Sequence, residues 1–157
     1  MPNSEMTPRN PRRSAASLVF LACGIWMTGL GLYFILLRPP LLPEDPRYIG
    51  SSLVQIQSTL PGLGRWLNHV FNVMGGFMAA SGVLTAFVAV TAVPARTRGT
   101  GIVLLVAGLA SVVTMSWTNF AIESNFKVLL AAPAILWVAG LALYARGTSR
   151  TSAGAGQ

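Results

Sequence analysis

Four acidic residues and one histidine are all this chain offers for general acid–base work or for holding a hard metal ion. Three of the acids, Glu44, Asp45 and Glu123, and the single histidine, His69, flank apolar runs, while the fourth acid, Glu5, stands apart near the start. A metal site could draw on His69, Glu44, Asp45 and Glu123, yet their spacing follows none of the short-range patterns that place ligands on one turn or helix face. Bis-histidine haem ligation within one chain is excluded by the single histidine. No serine stands in a hydrolase context with an acid partner, and no glycine-rich loop joins a strand to a helix for phosphate. The sequence therefore specifies no catalytic residues, no metal site and no cofactor.

Other polar residues do gather around those few. Arg47 and Arg65 lie in the same stretch as Glu44 and Asp45, Asn68 and Asn72 bracket His69, and Asn119, Asn125 and Lys127 surround Glu123. An ionisable group near a membrane is costly unless paired or wetted. This outer polar cluster is the one functional hint in the sequence: it reads as a latch between a loop and a bundle, or as the rim of a binding site.

The elements that must position the cluster follow from composition. Of 157 residues 53% are hydrophobic and only 10% charged, more apolar surface than a soluble domain of this size could hide. Uncharged runs predict four membrane-spanning helices, over about 14–37, 68–93, 99–121 and 126–145, since about 20 residues cross a hydrocarbon core roughly 30 Å thick. The fold class expected is all-α, a polytopic four-helix membrane domain over 14–146. A barrel is disfavoured because its strands would alternate in short segments. Arg12 and Arg13 before an apolar run resemble a signal sequence, but the run continues past Cys23 to Leu37, so a retained span is expected. Cys23 itself reads as a small packing residue.

Basic residues set the expected orientation. Arg9, Arg12, Arg13, Arg96, Arg98, Arg146 and Arg150 fall on one side, against Arg38, Arg47, Arg65 and Lys127 on the other. The positive-inside rule then puts both termini in the cytoplasm and the Glu123 hairpin outside, in a multi-pass protein of a cell membrane. Residues 1–13 and 147–157 read as disordered basic tails. They lack the interleaved aromatics of a nucleic-acid surface, so no nucleic-acid partner is expected. The partners expected are the lipid bilayer and a second copy or a membrane subunit.

Within the long outer loop, 38–67, Asp45 is expected as an N-cap and Pro46 as the first helical residue. Ile49, Leu53, Ile56 and Leu60 then recur at helical spacing, predicting one short amphipathic helix. In the second span Asn68, Asn72, Gly75, Ala79, Gly82 and Ala86 form a stripe of small and polar residues, and Ala107, Ser111, Thr114 and Thr118 form another in the third. Small residues let backbones approach closely in lipid, so these stripes are expected to face each other or a second copy. Pro133 should disturb the fourth helix and free a carbonyl one turn earlier.

The segments R-P-P-L-L-P-E-D-P-R-Y-I-G, H-V-F-N-V-M-G-G-F-M and N-F-A-I-E-S-N-F-K-V-L-L resemble those of small four-span bacterial membrane proteins, distantly similar to the DoxX-like group. That resemblance covers roughly 38–141 and implies a four-span protein of a bacterial inner membrane, with no catalytic residues to carry over. Function is expected to be that of a non-enzymatic structural or accessory component. The alternative is a small transporter or permease with His69, Asn72, Asn119 and Glu123 forming an outward vestibule, and a membrane redox or hydrolytic enzyme ranks third.

Overall fold

A computed structural model describes residues 14–153, with side chains to residue 147, and is helical with no strands among the described residues. The first span is α1, Ala15–Leu36, started by Ser14, whose hydroxyl accepts the Ser17 amide. Two short helices follow, α2 (Glu44–Ile49) and α3 (Leu53–Thr59). The second span is α4, Leu63–Val90, prolonged by the single turn α5, Ala92–Ala95. The third runs through α6 (Thr100–Gly108), a π-helical turn (Leu109–Val113) and α7 (Thr114–Ala121). The fourth, α8, is Lys127–Ala153. Four helical stretches are long and apolar enough to cross a membrane, which makes this a multi-pass, all-α four-helix bundle.

α1 is the centre of the bundle. It packs along α4 on one side and α8 on the other, and α8 in turn carries the third span. The α1–α4 contact is set by glycine. A Cβ on Gly24 would lie 2.7 Å from the Ala86 nitrogen, one on Gly75 would lie 2.6 Å from the Gly31 oxygen, and one on Gly31 would strike Ala79. Gly24 meets Ala86 and Gly31 meets Ala79, a step of seven residues on each antiparallel helix, the repeat of a left-handed seam. One more step takes α1 to Arg38 and α4 to Asn72, where α1 has just ended.

The small-residue stripe of the second span, Gly75, Ala79, Gly82 and Ala86, is therefore a packing surface, but its partner is α1. This corrects the expected pairing with the third span. The missed signal was Gly24, Thr28 and Gly31, which supply the matching stripe on α1. The third span spends its small residues differently: Ser111 donates to the Ala107 carbonyl and Thr114 to the Leu109 carbonyl, both within the helix, around the π-helical turn. Its contact with α8 is made by Gly108, where a Cβ would collide with the Trp137 indole, and by Trp137 Nε1 donating to the Leu104 carbonyl at 2.9 Å.

Phe20 and Trp137 stack edge to face at 5.3 Å in the buried core, beside Cys23, Val93, Leu104 and Val112. Pro133 is buried in α8 and removes an amide donor, and the Ser116 hydroxyl reaches the Leu130 carbonyl at 3.0 Å. The carbonyl that Pro133 deprives of a donor is that of Leu129, so the Ser116 bond lies one residue further on and ties the third span to α8 beside the proline.

Boundaries depart from expectation in three places. α4 begins at Leu63, so Arg65 belongs to a helix and not to the loop. The outer segment forms two helices rather than one, because Gly50 adopts φ +75° and ends α2 before Ser52 caps α3. α8 continues to Ala153, into the stretch expected as a tail, while residues 1–13 and 154–157 lie outside the described residues.

Candidate functional site

The polar residues concentrate at one end of the bundle, where the 37–62 segment and the α7–α8 turn meet; we call it the loop face. They divide there into two groups with different chemistry.

The first group fastens the segment down. Glu44, in the first turn of α2, is 2% exposed and its Oε1 accepts the Ser124 hydroxyl at 3.1 Å; its Oε2 is buried with no partner. Ser124 also accepts the Phe126 amide, which rigidifies the turn into α8. Arg47 reaches over the same turn and donates to the Glu123 carbonyl at 3.2 Å. Glu123 itself sits at φ +52°, a left-handed conformation that presents its carbonyl to Arg47. Among the described residues its carboxylate pairs with neither Lys127 nor Arg47, Arg65 or His69. Asp45 is not an N-cap: α2 starts one residue earlier, and Asp45 Oδ2 instead accepts the Leu42 amide at 2.8 Å, closing the turn before the helix.

Arg38 ties this group to α1 and α4. Its guanidinium lies 3.5 Å from the Phe71 ring centre and 5.2 Å from that of Phe34, with Asp45 Oδ2 at 3.7 Å. Burial pulls the guanidinium below its ordinary pKa, and the negative charge of Asp45 opposes that pull. The side chain is only 9% exposed, so an arginine that follows the end of a span is held as a fixed charge rather than a free one. Sequence reading counted Arg38 for orientation but left it out of the cluster, and left out Ser124 as well. The R-P-P tripeptide directly after an apolar run was the available signal for the first.

The second group lines a cleft of about 510 Å³ between the end of α1 and the start of α4. Arg38, Arg65, Asn68, His69 and Asn72 supply the polar wall, and Ile35, Leu36 and Leu37 the apolar one. Among the described residues the side chains of Arg65, Asn68, His69 and Asn72 make no hydrogen bond or ion pair with the protein. A smaller recess of about 200 Å³ has Glu44, Asp45, Tyr48, Leu67, Phe71 and Ile122 around it.

The expected cluster is thus split. Asn119 turns back to donate to the Met115 carbonyl within its own helix, and Asn119 and Glu123 do not line the cleft. Asn125 is exposed at the turn, and Lys127 opens α8, its amide donating to the Ser124 carbonyl. His69 is on the cleft while Glu44 is buried against Ser124, and among the described residues no three histidine, cysteine, aspartate or glutamate side chains gather as metal ligands. Comparison with protein-family models, with curated proteins and with solved structures finds no match for this chain.

Proposed function

We propose that the protein is a non-enzymatic structural or accessory component of a cell membrane, with both termini cytoplasmic and the loop face outside. The observation that carries this reading is how the polar groups of the loop face are used. Glu44 with Ser124, and Arg47 with the Glu123 carbonyl, fasten the 37–62 segment across the mouth of the bundle. Below that cover, α1 and α4 touch backbone to backbone through glycine. Such an architecture presents a fixed cap to a neighbour. It does not rest on the DoxX-like resemblance, which assigns no residue a role.

Gentle-detergent purification of the full chain from its own membrane tests the reading: a stoichiometric membrane partner is expected. A lone monomer whose cellular activity is intact would overturn it.

The cleft beside Asn72 favours a second reading, a small transporter or permease with a polar vestibule on the loop face. Cysteine at position 72 (N72C) should then react with an impermeant thiol reagent, and N119C should react only if the vestibule reaches the third span. An unreactive N72C would remove this alternative.

A further inference from the structure

We propose that the cleft between α1 and α4 at the loop face is a binding site for the phosphodiester headgroup of an anionic phospholipid. The proposal goes beyond the accessory-component reading and does not depend on it.

The argument begins with helix length. α4 is 28 residues long, about 42 Å at 1.5 Å per residue, whereas α1, at 22 residues, is about 33 Å. A hydrocarbon core of roughly 30 Å accommodates α1 but leaves more than two turns of α4 outside it. The heptad step between the two helices puts Asn72 level with Arg38, just beyond the end of α1. Arg65, Asn68, His69 and Asn72 therefore climb the protruding part of α4 from the hydrocarbon boundary outward, at the depth of lipid headgroups.

Charge decides what such a groove takes. Two arginines and a histidine line it, no acidic side chain does, and the four polar residues of α4 have no partner among the described residues. Asp45 offsets part of the Arg38 charge, but from 3.7 Å and from outside the lining, with one of its oxygens already accepting the Leu42 amide. Phe71 holds the Arg38 guanidinium in place, so a ligand need not order that side chain first. A phosphodiester would meet one fixed guanidinium, a second from Arg65, and the amides of Asn68 and Asn72 for its oxygens, the bidentate chemistry in which arginine excels.

The opposite wall separates a lipid from free phosphate. Leu36 and Leu37 are 71% and 73% exposed and, with Ile35, form an apolar strip running from the cleft toward the hydrocarbon. A glycerol backbone and acyl chains would lie along that strip, whereas inorganic phosphate would leave it bare. The volume of about 510 Å³ suits a headgroup and glycerol, within the roughly 300–1,000 Å³ usual for small-ligand sites. Basic pockets between membrane helices on the cytoplasmic or matrix side bind anionic headgroups by the same chemistry, which does not depend on the leaflet.

The test uses the full chain in nanodiscs of phosphatidylcholine doped with phosphatidylglycerol, with the lipid that stays bound after detergent release counted by native mass spectrometry. One retained phosphatidylglycerol is expected in preference to phosphatidylcholine. R65Q should weaken retention roughly fivefold, the worth of one interfacial charge, and R65K should weaken it less. R146Q, far from the loop face, should leave it unchanged. Arg65 is exposed, so R65Q should keep the fold, and unaltered thermal unfolding of R65Q is the check. Equal retention of the two lipids, or retention indifferent to R65Q, would overturn the proposal. So would displacement of the lipid by inorganic phosphate that binds equally well alone, which would mark a free-phosphate site.

Discussion

At the scale of single residues, the α1–α4 contact separates glycines that matter for packing from those that do not. Gly31 and Gly82 face the partner backbone so closely that a methyl group must push the helices apart, whereas Gly29 and Gly76 have nothing within 4 Å of a Cβ. G31A should therefore destabilise by about 1–3 kcal/mol, the usual cost of overpacking. G29A and G76A should be neutral or stabilise by up to about 1 kcal/mol, because alanine is the better helix former. Reversible unfolding in mixed micelles measures all three variants, and equal effects of G31A and G29A would refute the seam. Half of this was legible in the sequence: the stripe Gly75, Ala79, Gly82, Ala86 announces a close approach. Its partner was not legible, because spacing on one helix reports a small face and says nothing about which neighbour fills it. Gly24 and Gly31 show the same seven-residue step with Thr28 between them on the same line, obscured by Gly29 lying off that line within a uniformly apolar run.

At the scale of elements, the segment between the first two spans is held by a few polar contacts and not by a large apolar face. Ile56 is its one buried apolar side chain in α3, while Leu53, Val54 and Leu60 are exposed. Its attachment must lean on α2, hence on Glu44. S124A should cost about 1–3 kcal/mol, since it strips the carboxyl of the partner that compensates its burial. Replacing both groups by apolar ones, E44M with S124A, should return most of that loss, because no polar atom is then left without a partner. Limited proteolysis within 50–62 reads the same effect locally: faster cleavage in S124A, near-normal cleavage in the double variant. A double variant as labile as S124A would show that the bond itself, and not the orphaned carboxyl, holds α2. The sequence pointed to a latch at this turn but to the wrong atoms. Glu123 drew attention as the charged residue, and what it contributes is a backbone carbonyl, a role invisible in side-chain chemistry. Ser124, neutral and common, carried no signal until Glu44 was placed against it. The break between α2 and α3 was signalled by Gly50 but masked by the continuous spacing of Ile49, Leu53 and Ile56.

At the scale of the whole molecule, four helices were legible because uninterrupted apolar length is a strong signal, and the long α4 was under-read because Arg65 and Trp66 look like loop residues when only hydropathy is weighed. The extension has a consequence for topology. Arg65 stands in the first turn of a protruding helix, so the loop face carries Arg38, Arg47, Arg65 and Lys127 on ordered structure, partly offset by Asp45 against Arg38. The opposite face bears Arg96 and Arg98 in the tight connection between the second and third spans, and Arg96 is fixed there by donating to the Tyr144 carbonyl at 3.2 Å. Short connections and residues close to span ends count most in the positive-inside rule. Arg146 lies toward that face, and the sequence segments before α1 and after residue 147 add Arg9, Arg12, Arg13 and Arg150 to the charge count on that side of the spans, an excess that predicts a cytoplasmic location. A reporter that works only in the cytoplasm should be active when fused after Gln157 and silent when inserted near Ser51, and a reporter active only outside should give the reverse. Changing Arg96 and Arg98 together to glutamine should blur the result, because it removes the two charges nearest the second and third spans while leaving the bundle's glycine seam intact. An outside location for Gln157 would invert the sidedness of the cap, the cleft and the lipid leaflet that the cleft addresses.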